Sequence, residues 1–158
     1  MNPQSASPQT AQQQYLRTRV LTATPEQLQM MLYDGAIRFS EQARSALEAK
    51  DYERSYNLIS RVQKIITELS ITLKHDVAPD LCGKLSALYT FVYKKLIEAN
   101  IEHQLAPMDE ALNILRYQRE TWAMLLDQLG KKKAAAAAQT LDMPAPDARM
   151  EASISMQG

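Results

Sequence analysis

The 158-residue sequence has a single cysteine, Cys82, only four glycines, and 18 basic and 18 acidic side chains that leave no net charge. A lone cysteine cannot form an internal disulfide, and without neighbouring ligand residues it does not make a zinc site. Balanced charge argues against nucleic acid as a partner, because proteins that bind phosphate backbones normally carry a basic surplus. No stretch approaches the roughly 18 apolar residues of a membrane span, and no signal peptide is recognisable, so we expect a cytoplasmic protein without membrane insertion.

Motifs of the common catalytic and metal sites are also missing from the sequence. There is no HExxH pair, no phosphate-binding glycine loop and no nucleophile elbow. Neither His75 nor His103 follows a glutamate by three residues, which excludes the Glu-x-x-His pairs of di-iron bundles. We therefore expect no enzyme activity, cofactor or metal. The alternative function of another class is a histidine phosphotransfer or other signalling bundle, which needs an exposed histidine in mid-helix.

Large side chains are concentrated in the middle of the chain, where all ten aromatic residues lie between Tyr15 and Trp122. Residues 1–14 are mostly Gln, Ser, Pro and Ala, and an alanine run follows three lysines near the other end. Such segments bury too little apolar surface to offset the entropy of ordering. The composition predicts a flexible N-terminal tail over 1–14, a helical domain over 15–130 and a disordered, Ala-rich C-terminal tail over 131–158.

Three internal prolines, Pro25, Pro79 and Pro107, each precede a long segment with helical periodicity. Proline is tolerated in the first turn of a helix and breaks it elsewhere, so these residues mark helix starts. Thr24 and Gln27 add the pattern of a capping box to the first of them. The predicted helices cover roughly 25–49, 52–74, 79–104 and 107–129. Their short connections favour an all-α, antiparallel up-down four-helix bundle, preceded by an N-terminal arm or short helix.

Projection at about 100° per residue places the large apolar side chains of each helix on one face, which predicts a common core. The predicted core residues are Leu28, Met31, Leu32, Phe39, Ala43, Ala46, Leu58, Ile59, Val62, Ile65, Ile66, Leu69, Leu73, Leu81, Leu85, Leu88, Tyr89, Val92, Leu96, Met108, Leu112, Leu115, Trp122, Leu126 and Leu129.

Two helices carry a second apolar row, although a four-helix bundle needs only one apolar face per helix. The second rows are Met30, Tyr33 and Ile37 on the first helix and Tyr93, Ile97 and Ile101 on the third. Either helix tilt, the N-terminal segment or a dimer contact covers these rows, or they line grooves for a partner's amphipathic helix. Periodicity leaves both interpretations open. The groove interpretation predicts that Tyr33→Ala or Ile97→Ala weakens partner binding and preserves helicity.

Three further positions have more than one interpretation. Gly35 lies inside a helix, where glycine is unfavourable, and either close helix packing or a groove accounts for it. Arg119 projects into an apolar stripe, where it extends past the core edge, pairs with a carboxylate of another helix or contacts a ligand. Asn100 either caps a neighbouring terminus or receives a partner's backbone.

The run from Tyr15 to Ala36, YLRTRVLTATPEQLQMMLYDGA, resembles the signature of the flagellar secretion chaperones, the FliS family. Four further matches follow in order at similar spacing, and the resemblance covers about residues 15–129. These matches are Ile65-Ile66-x-x-Leu69, Leu85-x-x-Leu88-Tyr89, Leu96-x-x-Ala99-Asn100 and Arg119-x-x-Trp122.

The resemblance implies a cytoplasmic helical bundle that binds the C-terminal segment of flagellin, prevents its premature polymerisation and supports its delivery to the flagellar type III export apparatus. Flagellar export-gate or regulatory proteins are further candidate partners, and a homodimer is compatible with it. Tyr15 matches the tyrosine of a covering arm, but Gln12 stands where the family has an apolar residue. The candidate groove walls are Met30, Tyr33, Ile37, Tyr93 and Ile97, and the positions matched to the family are Asp34, Gly35, Asn100, Arg119 and Trp122. With zero net charge, we expect partner binding to depend only weakly on salt.

Overall fold

The computed structural model of the protein describes residues 7–74, 76 and 78–142, and these residues form five α-helices without a strand. The helices are α1 (Pro8–Thr22), α2 (Pro25–Glu48), α3 (Tyr52–Ile71), α4 (Pro79–Glu102) and α5 (Leu105–Leu141). The four predicted helices correspond to α2 through α5 and begin within two residues of their predicted starts. The prediction of an all-α helical bundle is confirmed.

Local side chains set the starts of α2 and α3. Thr24 Oγ1 accepts a hydrogen bond from the backbone N–H of Gln27 at 3.2 Å, and Gln27 Oε1 accepts one from the N–H of Thr24 at 3.1 Å. This reciprocal pair is the predicted capping box, which satisfies two amide groups that the helix leaves free. Asp51 caps α3 by accepting from the N–H of Arg54 at 3.3 Å.

Helices α2, α3 and α4 pack as sequential antiparallel neighbours. A methyl group added to Gly35 of α2 would lie 3.5 Å from Ile65 Cδ1 of α3, an ordinary packing distance. At the other end of α3, the ring of Tyr52 stacks on that of His103, which caps the end of α4, with 3.9 Å between centroids. Gly35 therefore faces α3, although the space there also accommodates alanine.

Helix α5 up to Trp122 closes the bundle by contacting both α4 and α2. Lys95 Nζ of α4 lies 3.1 Å from Glu110 Oε2 of α5. Three ion pairs and one hydrogen bond to a backbone carbonyl join α5 to α2. They run in opposite directions along the two helices: Arg44–Asp109, Glu41–Arg116, Asp34–Arg119 and Glu26 O–Trp122. This order makes α2 and α5 antiparallel, as expected for an up-down bundle.

The core contains the predicted stripes of α3 and the inner part of α4, with Val62, Leu69, Val92 and Leu96 fully buried. Three predicted core residues are wrong: Leu28 and Leu129 are each 37% exposed, and Leu81 is 59% exposed. Leu28 and Leu81 lie in the first turn of a helix, α2 and α4 respectively, where the neighbouring helices no longer cover every apolar face. Leu129 lies on α5 beyond Trp122.

The two ends of the described chain are more helical than predicted. Helix α1 starts at Pro8, inside the predicted tail, after Ser7 accepts a hydrogen bond from the N–H of Thr10. No residue of α1 is buried. Residues after Trp122 form a separate unit, in which α5 continues through the alanine run to Leu141. Alanine has the highest helix propensity, which explains this continuation. The remainder of the two predicted tails, 1–6 and 143–158, lies outside the described residues.

Candidate functional site

The surface between α3 and α4 contains an apolar depression, which we call the α3–α4 groove. It has a volume of about 510 Å³ and combines the predicted groove walls Tyr93 and Ile97 with Ile71 of α3. Ile71 is 69% exposed, and Tyr93 and Ile97 are 37% and 39% exposed. Because they lie around one depression, they form a contiguous apolar patch of the kind that marks interaction surfaces. The groove residues are Ile66, Thr67, Ser70, Ile71, Tyr89, Thr90, Tyr93, Lys94 and Ile97.

The serine and threonine hydroxyl groups of the groove already have hydrogen-bond acceptors within their own helices. Thr67 donates to Gln63 O at 3.0 Å, Ser70 to Ile66 O at 2.9 Å and Thr90 to Ser86 O at 2.9 Å. Their donor protons are therefore not available to a bound molecule. The surface of the groove is mainly apolar, so burial of apolar surface is the main interaction that it can offer to a bound molecule.

The floor of the groove is fixed by a tyrosine pair that crosses the core. Tyr89 of α4 is 1% exposed, and its hydroxyl lies 2.5 Å from that of Tyr33 in α2. Burial and the hydrogen bond with Tyr33 raise the pKa of Tyr89 well above its ordinary value, so its ring stays neutral. A buried hydroxyl without this partner would carry a desolvation cost, so the pair holds Tyr89 in place.

Exposed apolar side chains extend the groove toward the start of α3. Tyr56 is 61% exposed and lies three helical turns before Thr67 on the same face, while Ile101 is 74% exposed and lies one turn after Ile97. From Tyr52 to Ile71, α3 measures roughly 28 Å at 1.5 Å per residue. A helical segment of about five turns matches this length.

The second row of α2 is placed differently from that of α4. At about 100° per residue, Met30 and Ile37 share the face of α2 that bonds to α5. We call the surface where Asp34, Glu41 and Arg44 of α2 pair with α5 the α2–α5 seam. Ile37 packs against the core there, and Met30 is half-buried. Tyr33 is corrected from a groove wall to a core residue, since it is only 2% exposed. The α2 row is thus covered within the molecule.

Ion pairs line the α2–α5 seam, and one of them involves Arg119. Its Nε donates to Asp34 Oδ1 at 2.6 Å, and this hydrogen bond is the main cause that raises the pKa of Arg119. Of the three alternatives for Arg119, the structure shows pairing with a carboxylate of another helix. Asp34 therefore has a structural contact, as does Trp122, whose Nε1 donates to Glu26 O at 3.0 Å.

A second depression, the end cleft, lies where α2 and α4 begin and α3 ends. Its volume is about 590 Å³, and the indole of Trp122 forms part of its wall. The partly exposed Leu28 contributes to this cleft, which explains why a residue of the apolar stripe does not join the core. The cleft residues are Pro25, Glu26, Leu28, Gln29, Leu32, Thr72, Leu73, Lys74, Leu85 and Trp122.

The remaining predicted site residues are not brought into either depression. Tyr15 lies on α1 with 70% of its surface exposed and lines neither the groove nor the cleft. Asn100 is half-buried near the end of α4 and is not among the groove residues. Their predicted roles in partner binding stay predictions.

The observations on the alternative function concern the two histidines. His75 lies outside the described residues. His103 ends α4 in a left-handed conformation with φ of 54°, stacked on Tyr52, and is not in mid-helix as a phosphotransfer site requires. Within 7–74, 76 and 78–142, no group of three or more His, Cys, Asp or Glu side chains is arranged to hold a metal ion. No helix in this part of the chain has the length and apolarity needed to cross a membrane.

Comparison with known proteins assigns the chain to a family. The profile of the family described as flagellar protein FliS matches residues 7–129. The chain belongs to the FliS family. Flagellar secretion chaperone FliS of Bacillus subtilis (strain 168) is 32% identical over 127 residues, which cover 80% of this chain and 92% of the relative. The chaperone of the same name from Salmonella typhimurium is 28% identical over 111 residues, covering 70% and 82%.

A solved structure agrees with the fold of this FliS-family chain. The crystal structure of a bacterial flagellar chaperone superposes with a TM-score of 0.62 and covers 76% of this chain and 98% of its own, at 18% identity. At this identity the likeness shows the fold alone. Together, the family match and the named relatives confirm the prediction of a flagellar export chaperone. The family match ends at residue 129, so the last helical residues of α5 lie outside it.

Several groove residues are not predicted by the sequence patterns described above. Ile71 and Thr67 lie off the core stripe of α3, and periodicity predicts no second row there because only one of the two is strongly apolar. The available signal was the combination of Tyr56 and Ile71, both outside the core face of α3, with an equivalent row on α4. In this chain the groove lies where exposed rows of two consecutive helices, α3 and α4, meet.

Proposed function

We propose that the chain binds the C-terminal segment of flagellin as an amphipathic helix in the α3–α4 groove. The observation that supports this most directly is the exposure of Ile71, Tyr93 and Ile97 around a single depression with a buried floor. Grooves of this kind accept the apolar stripe of a helix through anchors at i, i+3 or i+4 and i+7. Membership of the FliS family favours a flagellar substrate over other helical partners.

Binding in the groove explains a chaperone role without bond chemistry. A segment that is disordered alone and helical when bound must recover an ordering cost of about 2–5 kcal/mol or more, and apolar contact supplies it. While its apolar face is covered, flagellin cannot use that face to polymerise. In this proposal the complex forms in the cytoplasm and delivers flagellin to the type III export apparatus, where export-gate or regulatory proteins are further candidate partners.

Titration calorimetry with a synthetic peptide of the flagellin C-terminal segment tests the proposal. Ile97→Ala and Tyr93→Ala should each weaken binding by about tenfold, since truncating a central apolar anchor typically costs more than 1 kcal/mol. Tyr117→Ala is the matched control, because Tyr117 is 72% exposed on α5 and lies outside the groove. The control should bind like the wild type.

Helicity and thermal unfolding of each variant are measured in parallel by circular dichroism. The proposal predicts a loss of affinity with little change in unfolding temperature. Absence of binding by the wild-type chain, or an equal loss in Tyr117→Ala, contradicts it. Acid-labile phosphate on a histidine would instead support the signalling alternative.

A further inference from the structure

Two lysines lie beside the α3–α4 groove, although the chain as a whole has no net charge. Lys94 is itself a groove residue and follows Tyr93 on α4. On α3, Lys64 precedes Thr67 by three residues and Ile71 by seven, so it shares their face of the helix. A cation therefore lies along each of the two helices that form the groove.

Neither lysine is paired with a carboxylate among the residues that the structure describes. The contrast with Lys95 is clear, since its Nζ lies 3.1 Å from both Glu98 Oε2 and Glu110 Oε2. Lys95 stabilises the bundle, whereas both groove lysines are exposed. Their ammonium groups can therefore contact a bound molecule without first breaking an ion pair.

The carboxylates nearest along these helices do not neutralise the groove. Glu98 is held by Lys95, as described above. Glu68 lies one turn after Lys64 and, at about 100° per residue, is rotated a further 40° away from the groove. Glu53 lies beside Tyr52, at the distant end of the apolar extension. The central part of the groove, between Lys64 and Lys94, is thus apolar at its floor and basic at its sides.

We propose that the groove selects an amphipathic helix that carries acidic residues on either side of its apolar stripe, paired by Lys64 and Lys94. This inference rests on the proposed function and specifies which part of a flagellin segment occupies the groove. Apolar burial supplies most of the affinity, and the two lysines fix the register and direction of the bound helix. Lysine suits this role because its long stem packs on apolar surface while the ammonium group stays in water.

A double-mutant cycle between chaperone and peptide tests the inference. Lys64→Gln combined with Lys94→Gln should weaken binding of the flagellin C-terminal peptide by about threefold to tenfold at low salt, as expected for two exposed ion pairs. The loss should shrink at physiological salt, where charges are screened over about 8 Å. Lys84→Gln is the matched control, because Lys84 is exposed on another face of α4 and should not change the affinity.

The second arm of the cycle changes the peptide. Replacing the aspartates and glutamates of the peptide by asparagine and glutamine should weaken its binding to the wild-type chain by the same factor, with no further loss on the double lysine variant. Lys94→Arg should retain the affinity, which separates charge from packing. Circular dichroism confirms that each variant remains folded.

The outcomes separate the inference from the function on which it rests. Binding of the unmodified peptide with equal affinity to wild type and double lysine variant overturns the charge proposal and leaves the proposed function intact. Failure of the wild-type chain to bind the peptide at all overturns both. The expected salt dependence remains far below several orders of magnitude, in agreement with zero net charge.

Discussion

The second apolar rows of α2 and α4 look alike in the sequence, yet the structure uses them in opposite ways. The α2 row is covered, since Tyr33 is in the core and Ile37 packs against it beside α5. The α4 row is open, and Tyr93 and Ile97 line a groove that no described residue fills. Apolar periodicity therefore reveals an additional face without revealing what covers it.

The charges between the apolar residues distinguish the two rows. Asp34 and Glu41 lie beside the α2 row, and each pairs with an arginine of α5: Asp34 with Arg119 and Glu41 with Arg116. The α4 row has one cation, Lys94, without a partner on α3 or α5 among the described residues. A row with complementary charges on another helix indicates an internal contact, and a row without them indicates an open surface.

Truncation of the two tyrosines should give the largest difference between the rows. Tyr33→Ala removes a buried ring and the hydrogen bond to Tyr89, and we expect a loss of about 3–5 kcal/mol in the free energy of unfolding. Tyr93→Ala should cost less than about 1 kcal/mol because the side chain is partly exposed. Urea unfolding followed by circular dichroism measures both. This expectation reverses the one drawn from periodicity, in which Tyr33→Ala preserves helicity.

Similar stabilities of Tyr33→Ala and Tyr93→Ala would contradict the distinction between a covered α2 row and an exposed α4 row, since both rows would then lie on the surface. Tyr33→Phe provides the control for ring packing. It keeps the ring and leaves only the Tyr89 hydroxyl without its partner.

Sequence patterns alone predict the helical bundle and the α4 side of the α3–α4 groove. The capping box at Thr24 and the prolines located helix starts because these signals depend on adjacent residues alone. Tyr93 and Ile97 were found because helical periodicity is also local. Exposure of Leu28 and Leu81 depends on where neighbouring helices end, and burial of Tyr33 depends on Tyr89, which is 56 positions away. Such contacts are set by the packing of several helices and are not visible in one segment.

The buried hydroxyl pair should make the stability of the bundle sensitive to alkaline pH. The pKa of Tyr89 is raised in the folded chain, so the unfolded chain loses its proton first, near the ordinary value of 10.0. The contribution of the Tyr89 hydroxyl to the free energy of unfolding is fully present below pH 10.0. It decreases as the pH rises above that value, by about 1.4 kcal/mol per pH unit. Tyr89→Phe should show a shallower decline in urea-unfolding free energy between about pH 10 and 11 than the wild type. An identical slope in wild type and Tyr89→Phe would mean that the Tyr89 hydroxyl is exposed to water in the folded chain. The Tyr33–Tyr89 pair would then not hold the groove floor in place.

The ion pairs of the α2–α5 seam should have the smallest effect on stability, and charge exchange tests whether they close the seam. Asp34→Arg and Arg119→Asp each place like charges where the Nε–Oδ1 distance is now 2.6 Å. Because both side chains are more than one-third exposed, each change should cost less than about 1 kcal/mol. The double exchange should restore most of the loss, as a coupled pair requires. Restored stability with unchanged peptide affinity in all three variants would assign the seam to the fold and the groove to the partner. A fall in peptide affinity without a fall in stability would instead make Asp34 and Arg119 contact residues, and the two rows would then share one binding surface.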